Sequence, residues 1–281
     1  MRSLLAAIVV LVLTPPFAAL VTLGAALHIP ERPGGVYWWV PRVWTRALLW
    51  AGGVTVRVHG AERMGDGRDS RIFASNHVSW YDVFVLAATL PRYAFVAKAE
   101  LLRIPIFGPG ARAVGTVPIE RDNRKSAFAS YEAAAAQVRG GRPIVVFPEG
   151  TRGRAYPLRP FKKGPFVLAI AAQVPIVPVV IYGTMAVMPK GAWRIRSGVV
   201  DVHFLDPVST TGLTYDNRDT LSATVHERIA SVLEREYGVV PSRETDPAAV
   251  LPTVSPSVSP TVSPTVSPAP AALSTTPNVR V

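Results

Sequence analysis

Apolar positions along this chain fall into short runs of strand length, separated by stretches with helical spacing. Runs at 54–58, 72–75, 94–97, 116–119, 144–147 and 176–182 read as strands. The alanine-rich stretch 127–139 reads as a helix that stops at Gly140 and Gly141, since glycine tolerates the left-handed turn closing a helix. Pro165 opens a second helix running to Gln173. Leu221, Val225, Ile229, Val232, Leu233 and Tyr237 share one face of a third, ended by Gly238. Strands at 193–196 and 199–205 flanking Ser197 and Gly198 predict a hairpin. Strands alternating with helices imply an α/β fold: a mostly parallel sheet flanked by helices, with functional loops at the carboxyl ends of the strands.

Both ends of the chain depart from this alternation. Residues 3–29 contain no Asp, Glu, Lys or Arg, which is enough to cross a bilayer needing about 20 residues. Pro15 and Pro16 interrupt the segment, so a kinked span and a shallow helical hairpin in one leaflet are both open, and the proline pair favours the hairpin. A cleaved signal peptide is the competing reading. Trp38, Trp39, Trp44 and Trp50 follow with Arg42 and Arg46, a mixture suited to the headgroup level of a membrane or, residue by residue, to an ordinary core. After Pro241, Thr-Val-Ser-Pro and Ser-Val-Ser-Pro units recur, and regular proline predicts a disordered or polyproline-like tail. The expected organisation is an apolar membrane-anchoring and interface segment at 1–50, a catalytic domain at 51–240 and a Pro/Ser/Thr/Val-rich tail at 241–281.

Charge narrows the partners. Thirty Lys and Arg against 19 Asp and Glu give a net charge of +11, and 49% of residues are hydrophobic. A basic excess selects an anionic partner, either nucleic acid, acidic lipid or a phosphorylated substrate. No nucleic-acid-binding signature is present, which leaves lipids and phosphorylated small molecules. The chain has no cysteine, excluding disulfides and thiol catalysis.

The candidate chemistry lies at 76–82, where His77 and Asp82 stand five positions apart after an apolar run. That spacing puts two side chains on one face of neither a helix nor a strand, so the chain must turn between them. Ser79-x-x-Asp82 resembles a capping box with Ser79 as N-cap, predicting strand, sharp turn, helix. A carboxylate holding one ring nitrogen of an imidazole leaves the other to accept a proton from a hydroxyl. No G-x-S-x-G elbow is present, so the hydroxyl belongs to a substrate. Arg121 and Arg152, each in a loop after an apolar run, suit a phosphate, which arginine grips in bidentate fashion.

Four ordered blocks carry a resemblance. They are H-x4-D at His77 and Asp82; Gly115, Ile119 and Arg121; F-P-E-G-T-R at 147–152; and V-P-I-V-P-V at 174–179. In this order the chain resembles the glycerolipid acyltransferase family, most closely its 1-acyl-sn-glycerol-3-phosphate acyltransferases, over roughly residues 70–190. Pro118 replaces a frequent aromatic of the second block and Gly153 a frequent Ser after the third, both in acceptor-binding blocks. The resemblance implies transfer of a fatty acyl group from an acyl thioester, on coenzyme A or acyl carrier protein, to a glycerolipid hydroxyl, with no cofactor and no metal. By analogy His77 is the base and Asp82 its partner. Arg121, Glu149, Gly150, Thr151 and Arg152 hold the acceptor's phosphate and glycerol, and Lys98 and Lys163 are further anionic contacts. It further implies an enzyme of phospholipid biosynthesis on a membrane, its catalytic domain on the cytosolic face. Three alternatives remain at this point: another acceptor such as glycerol-3-phosphate, a non-catalytic lipid-binding protein, and a hydrolase with a metal on His77, Asp82 and Glu149, a donor set thin for zinc.

Overall fold

The structure is a computed structural model of the chain; it describes residues 1–32, 34–120 and 124–240, with the side chains of 124–129 excepted. Arg121 and the 241–281 tail, both singled out above, lie outside the described residues.

Seven strands among the described residues form one sheet: β1 Val54–His59, β2 Ile72–Ser75, β3 Ala94–Lys98, β4 Val117–Ile119, β5 Ile144–Val146, β6 Ile176–Tyr182 and β7 Gly198–Phe204. Their order is β1-β7-β6-β2-β5-β3-β4. Strands β6, β2, β5, β3 and β4 are mutually parallel. β7 runs antiparallel to β6, and β1 pairs parallel with β7. The inner strands are apolar on both faces, with β2 and β5 fully buried along their lengths, because helices cover both sides. On one face lie α5 Arg124–Arg139, α6 Gly164–Ala172 and α8 Arg218–Tyr237; there Phe166, Leu168, Leu221, Val225 and Ile229 meet Ile72, Ile144 and Ile176. On the other, α2 Val36–Gly52 and α3 Tyr81–Thr89 bring Leu49, Tyr81, Val85 and Leu86 onto Phe73, Val145 and Val177. The expected mostly parallel α/β sheet is therefore present, with two strands reversed at one edge.

Two expectations fail. No hairpin forms about Ser197 and Gly198. Residues 193–196 are not a strand, and β7 inserts between β1 and β6. Alternation near a Ser-Gly pair identified a strand but not its partner, which non-local packing of Val200, Val202 and Phe204 selects. Nor do the prolines break the N-terminal segment. α1 runs unbroken from Arg2 to Ala26 with Pro15 and Pro16 inside it. Both prolines face outward, and the helix is packed on either side of them. Ala6 and Val9 meet Leu48 and Ala51 of α2, and Ala18 abuts Gly110 of α4 Phe107–Ala113. That burial outweighs the lost amide donors.

α1 is also tied at both ends to the domain it flanks. Near its start, the Ile195 amide donates to Ser3 Oγ at 2.8 Å, just before β7. Just beyond its end, Glu31 accepts from Arg92 at 3.0 Å and pairs with Arg142, residues that precede β3 and β5. The helix thus runs alongside the sheet from its carboxyl-end loops to its opposite edge. Its outer face carries Leu4, Ile8, Leu11, Val12, Leu20 and Leu23, with Leu27 just past its end, all exposed. By length and composition α1 is the one helix among the described residues able to cross a membrane.

A Cβ at Gly110 would sit 3.0 Å from that of Ala18, so glycine permits the close α1–α4 approach. Gly110→Leu should lower stability by about 1–3 kcal/mol through overpacking. Thermal and denaturant unfolding in detergent would measure it, and an unchanged midpoint would show that α1 does not depend on this approach.

Candidate active site

The site lies at the carboxyl ends of the two central parallel strands, β2 and β5, beside the end of β6. Asn76, directly after β2, pins that end: its Nδ2 donates to the Ile181 carbonyl at 2.9 Å and its Oδ1 accepts from the Ile181 amide at 2.8 Å. The chain then turns at 77–80 and enters α3. The turn closes on one buried carboxylate. Asp82 Oδ2 accepts from His77 Nδ1 at 2.8 Å, from the Val78 amide at 2.7 Å and from the Ser79 amide at 2.8 Å. Its Oδ1 accepts from the hydroxyl of Thr184, at the start of the short helix α7 Thr184–Val187, at 2.5 Å. Asp82 is fully buried, and a buried carboxylate requires such a set of donors.

This geometry modifies the capping box read from the sequence. Asp82 reaches back to the Ser79 amide as expected. Ser79 Oγ, however, accepts from the Tyr81 amide at 3.1 Å and donates to the Met188 carbonyl at 2.6 Å, and the helix begins at Tyr81. Asp82 is at once turn clamp and histidine partner.

The His77 ring stacks on Phe147, the first residue of the F-P-E-G-T-R block, with centroids 4.0 Å apart. That block leaves β5 and folds back on the histidine. The Gly153 amide donates to the His77 carbonyl at 2.7 Å. Gly150 takes φ +76°, a conformation open to glycine at little strain, and its amide donates to the Phe147 carbonyl at 3.0 Å. Glu149 points inward. Its Oε1 accepts from the His77 backbone amide at 2.8 Å and Oε2 from the Arg159 amide at 3.4 Å. Burial pushes the Glu149 carboxyl up to about 7 from an ordinary 4.5, against those hydrogen bonds.

A cavity of about 260 Å³ opens beside the pair, lined by His77, Trp80, Phe95, Leu101, Leu102, Phe107 and Phe147 among others. Lys98, Thr151 and Arg152 supply polar groups to its wall. The Arg152 guanidinium lies over the Trp80 ring at 4.8 Å, and its carbonyl accepts from Lys190 Nζ at 2.8 Å. Val83, Phe95, Phe107, Ala111 and Thr116 also line a second, almost wholly apolar cavity of about 140 Å³. That space extends from the first toward Phe17, Ala18 and Val21 of α1, with Trp44 of α2 fixed at its wall by a bond from Nε1 to Thr14 Oγ1 at 3.0 Å.

The structure therefore gathers His77, Thr151 and Arg152 at one cavity, with Asp82 buried behind His77 and Glu149 bonded to the His77 amide. Lys98 reaches its edge but pairs with Glu100 at 2.9 Å. Lys163 is not brought there; it pairs with Asp219 in the first turn of α8 at 2.9 Å. The backbone beside it stays at the third block, the Lys162 amide donating to the Pro148 carbonyl at 2.8 Å, but the Lys163 side chain turns to α8. His77, Asp82 and Glu149 do not converge as a ligand set, since Glu149 is spent on backbone amides. Among the described residues no group of three or more His, Cys, Asp or Glu side chains is placed to hold a metal ion. Sequence reasoning missed Thr184. Its only signal was a Gly-Thr pair closing the fourth apolar block.

The fold and site define an α/β domain with a histidine–carboxylate pair at the mouth of an apolar cavity. Residues 55–182 match the family model described as Acyltransferase. The chain is 32% identical to a 1-acyl-sn-glycerol-3-phosphate acyltransferase of Limnanthes douglasii, an alignment covering 64% of each protein. It is 35% identical to one of Haemophilus influenzae over 56% of this chain and 65% of the relative. The chain thus spans somewhat under two thirds of the length of these relatives. The crystal structure of the 1-acyl-sn-glycerophosphate acyltransferase PlsC from Thermotoga maritima superposes with a TM-score of 0.71 at 25% identity, over 86% of this chain and 97% of that one.

Two outcomes follow from this geometry. Thr184→Val leaves one Asp82 oxygen without its buried donor. A lost hydrogen bond to a charged group costs about 1.5–3 kcal/mol. We expect a fall in kcat of roughly tenfold or more with KM little changed and the fold retained, read by steady-state kinetics and circular dichroism; unaltered kcat would make the contact incidental. The second concerns Glu149. With the folded carboxyl raised to about 7 and the unfolded one near 4.5, the folded state binds the extra proton between those values. Glu149 therefore contributes stability that is complete below about pH 4.5, declines as pH rises to about 7 and is flat beyond. The midpoint of Glu149→Gln relative to the parent should rise over that window, as thermal unfolding against pH would show. A pH-independent difference would contradict it.

Proposed function

We propose that this protein transfers a fatty acyl group from an acyl thioester, on coenzyme A or acyl carrier protein, to the free hydroxyl of 1-acyl-glycerol-3-phosphate, giving phosphatidate. The observation that carries this reading is the His77–Asp82 pair at the mouth of an apolar cavity with Arg152 in its wall. Asp82 holds Nδ1, so Nε2 is the nitrogen left to take the acceptor's hydroxyl proton. The hydroxyl oxygen attacks the thioester carbonyl carbon, the C–S bond breaks as the new C–O bond forms, and the proton leaves on the thiol. A positioned base of this kind contributes roughly 10²–10⁴-fold. Asp82 stabilises the imidazolium formed meanwhile.

The remaining parts fit lipid substrates. The apolar space between His77 and α1 suits a hydrocarbon chain, which gains about 0.8 kcal/mol per buried methylene. Arg152 and Arg121 take the acceptor's phosphate, with Thr151 near the glycerol and Lys98 a weaker contact. Glu149 acts indirectly, by fixing the His77 backbone.

Attachment follows from α1. A helix tied to the catalytic domain at both ends cannot leave it to cross a bilayer alone. We read α1 as lying in one leaflet with its outer leucines in lipid, retained in the mature protein, and the catalytic domain on the cytosolic face beside its thioester donor.

An acceptor panel tests this directly. Purified full-length protein with a labelled acyl thioester should acylate lysophosphatidate far faster than glycerol-3-phosphate or lysolipids lacking a phosphomonoester. Arg152→Ala and Arg121→Ala should each raise the lysophosphatidate KM roughly ten- to a hundredfold, with the donor KM little changed. Equal turnover of all acceptors, or a donor KM that moves instead, would refute the assignment.

A further inference from the structure

The segment between α7 and β7 takes no part in the chemistry above, yet it holds three other parts together. Ile195 ties to Ser3 through its amide and packs its side chain beside Ala6, Val9, Leu48 and Ala51, so it grips the start of α1. Lys190 holds the Arg152 carbonyl at 2.8 Å, and the Met188 carbonyl takes the Ser79 hydroxyl at 2.6 Å, so the same segment grips the phosphate loop and the His77 turn. The Arg196 amide donates to the Val187 carbonyl at 2.9 Å, which fixes its far end.

At the crest of this braced segment stands Trp193, 78% exposed, with Arg194 and Arg196 exposed beside it. Trp50, 67% exposed, lies at the same end of the molecule, where α2 finishes at Gly53, and the Arg2 guanidinium and Ser197 both approach Gly53. Two bare indoles among three arginines adjoin the lipid-facing row that begins at Leu4 and Ile8. Exposed apolar groups gathered in one patch and rimmed by charge mark an interaction surface. Indole rings with cations are the chemistry of the bilayer headgroup region, and cations there favour anionic lipid.

We propose that Trp193, Arg194 and Arg196, with Trp50 and Arg2, form a second membrane contact at the active-site end of α1. Trp193 enters the headgroup layer of an anionic leaflet and the arginines pair with lipid phosphates. Through Lys190 and Met188 this contact sets the height of the Arg152 loop and the His77 turn over the leaflet that holds the acceptor. The proposal rests on the reading of α1 as an in-plane helix, and charge complementarity and continuity with that helix favour lipid over a protein partner.

The absence of cysteine makes single labelling direct. Ala192→Cys and, separately, Leu11→Cys would be made in the full chain and coupled to an environment-sensitive fluorophore. Each would be titrated with vesicles of phosphatidylcholine alone or mixed with phosphatidylglycerol. Both probes should shift to the blue with mixed vesicles, and the Ala192 probe should need more lipid with phosphatidylcholine alone. Arg194→Gln and Arg196→Gln should each raise the mixed-lipid concentration required by the Ala192 probe about fivefold. Trp193→Ala should raise the KM for lysophosphatidate in mixed vesicles severalfold and leave that for a short-chain, water-soluble lysophosphatidate unchanged. A silent Ala192 probe beside a responsive Leu11 probe overturns the second contact and leaves the α1 reading standing. Silence from both overturns the α1 reading. Equal response to the two lipids removes the role given to the arginines, and an unchanged vesicle KM in Trp193→Ala removes the height-setting role.

Discussion

One buried carboxylate organises this molecule. Asp82 sits where water does not reach, and an ionised group there is tolerable only with its oxygens fully engaged. It gathers the ring of His77, the two amides that follow it and the hydroxyl of Thr184. Those four donors come from the turn after β2 and the helix after β6. The carboxylate therefore joins the ends of two adjacent strands, starts α3 and fixes the tautomer of the histidine in a single arrangement. Removing any donor leaves a charge incompletely satisfied in a low-dielectric setting, so the turn has little freedom to relax. The position of the His77 ring is set by the electrostatics of its partner.

A second constraint comes from outside the sheet. α1 is as apolar as a membrane span, yet Ser3 at one end and Glu31 just past the other bind it to opposite edges of the domain. Its inner face lines an apolar cavity that shares Val83, Phe95, Phe107, Ala111 and Thr116 with the cavity at His77, and its outer face is bare. One helix is thus both a wall of that apolar space and an exposed apolar surface. On the function proposed above, His77 at the mouth of this space meets the acceptor's hydroxyl without the acceptor leaving the bilayer.

Much of this was legible in the residues. The strand at 72–75 and that at 176–182 coincide with β2 and β6, because fully buried strands read as uninterrupted apolar runs. The helix ending at Tyr237 and its glycine stop were equally plain, Gly238 taking φ +64°. The need for a turn between His77 and Asp82 followed from spacing alone. What escaped depends on distant packing. Pro15 and Pro16 read as a break because their effect is local, whereas the burial of Ala6, Val9 and Ala18 that overrides it involves residues far along the chain. Strand β7 was seen but given the wrong neighbour, since its partners lie before residue 60 and after residue 175. Thr184 stands 102 residues from Asp82. Lys163, taken from the resemblance, lies beside the third block in backbone but spends its charge on Asp219.

The account stands or falls on the histidine. Full-length His77→Ala protein, shown by circular dichroism and vesicle flotation to keep its fold and its membrane attachment, should be given lysophosphatidate and a labelled acyl thioester, with phosphatidate followed by mass spectrometry. The account predicts product formation at least about a hundredfold slower than in the parent. Phosphatidate formed at a rate close to the parent's would contradict it, because the acyl transfer would then proceed without the base around which the site is built.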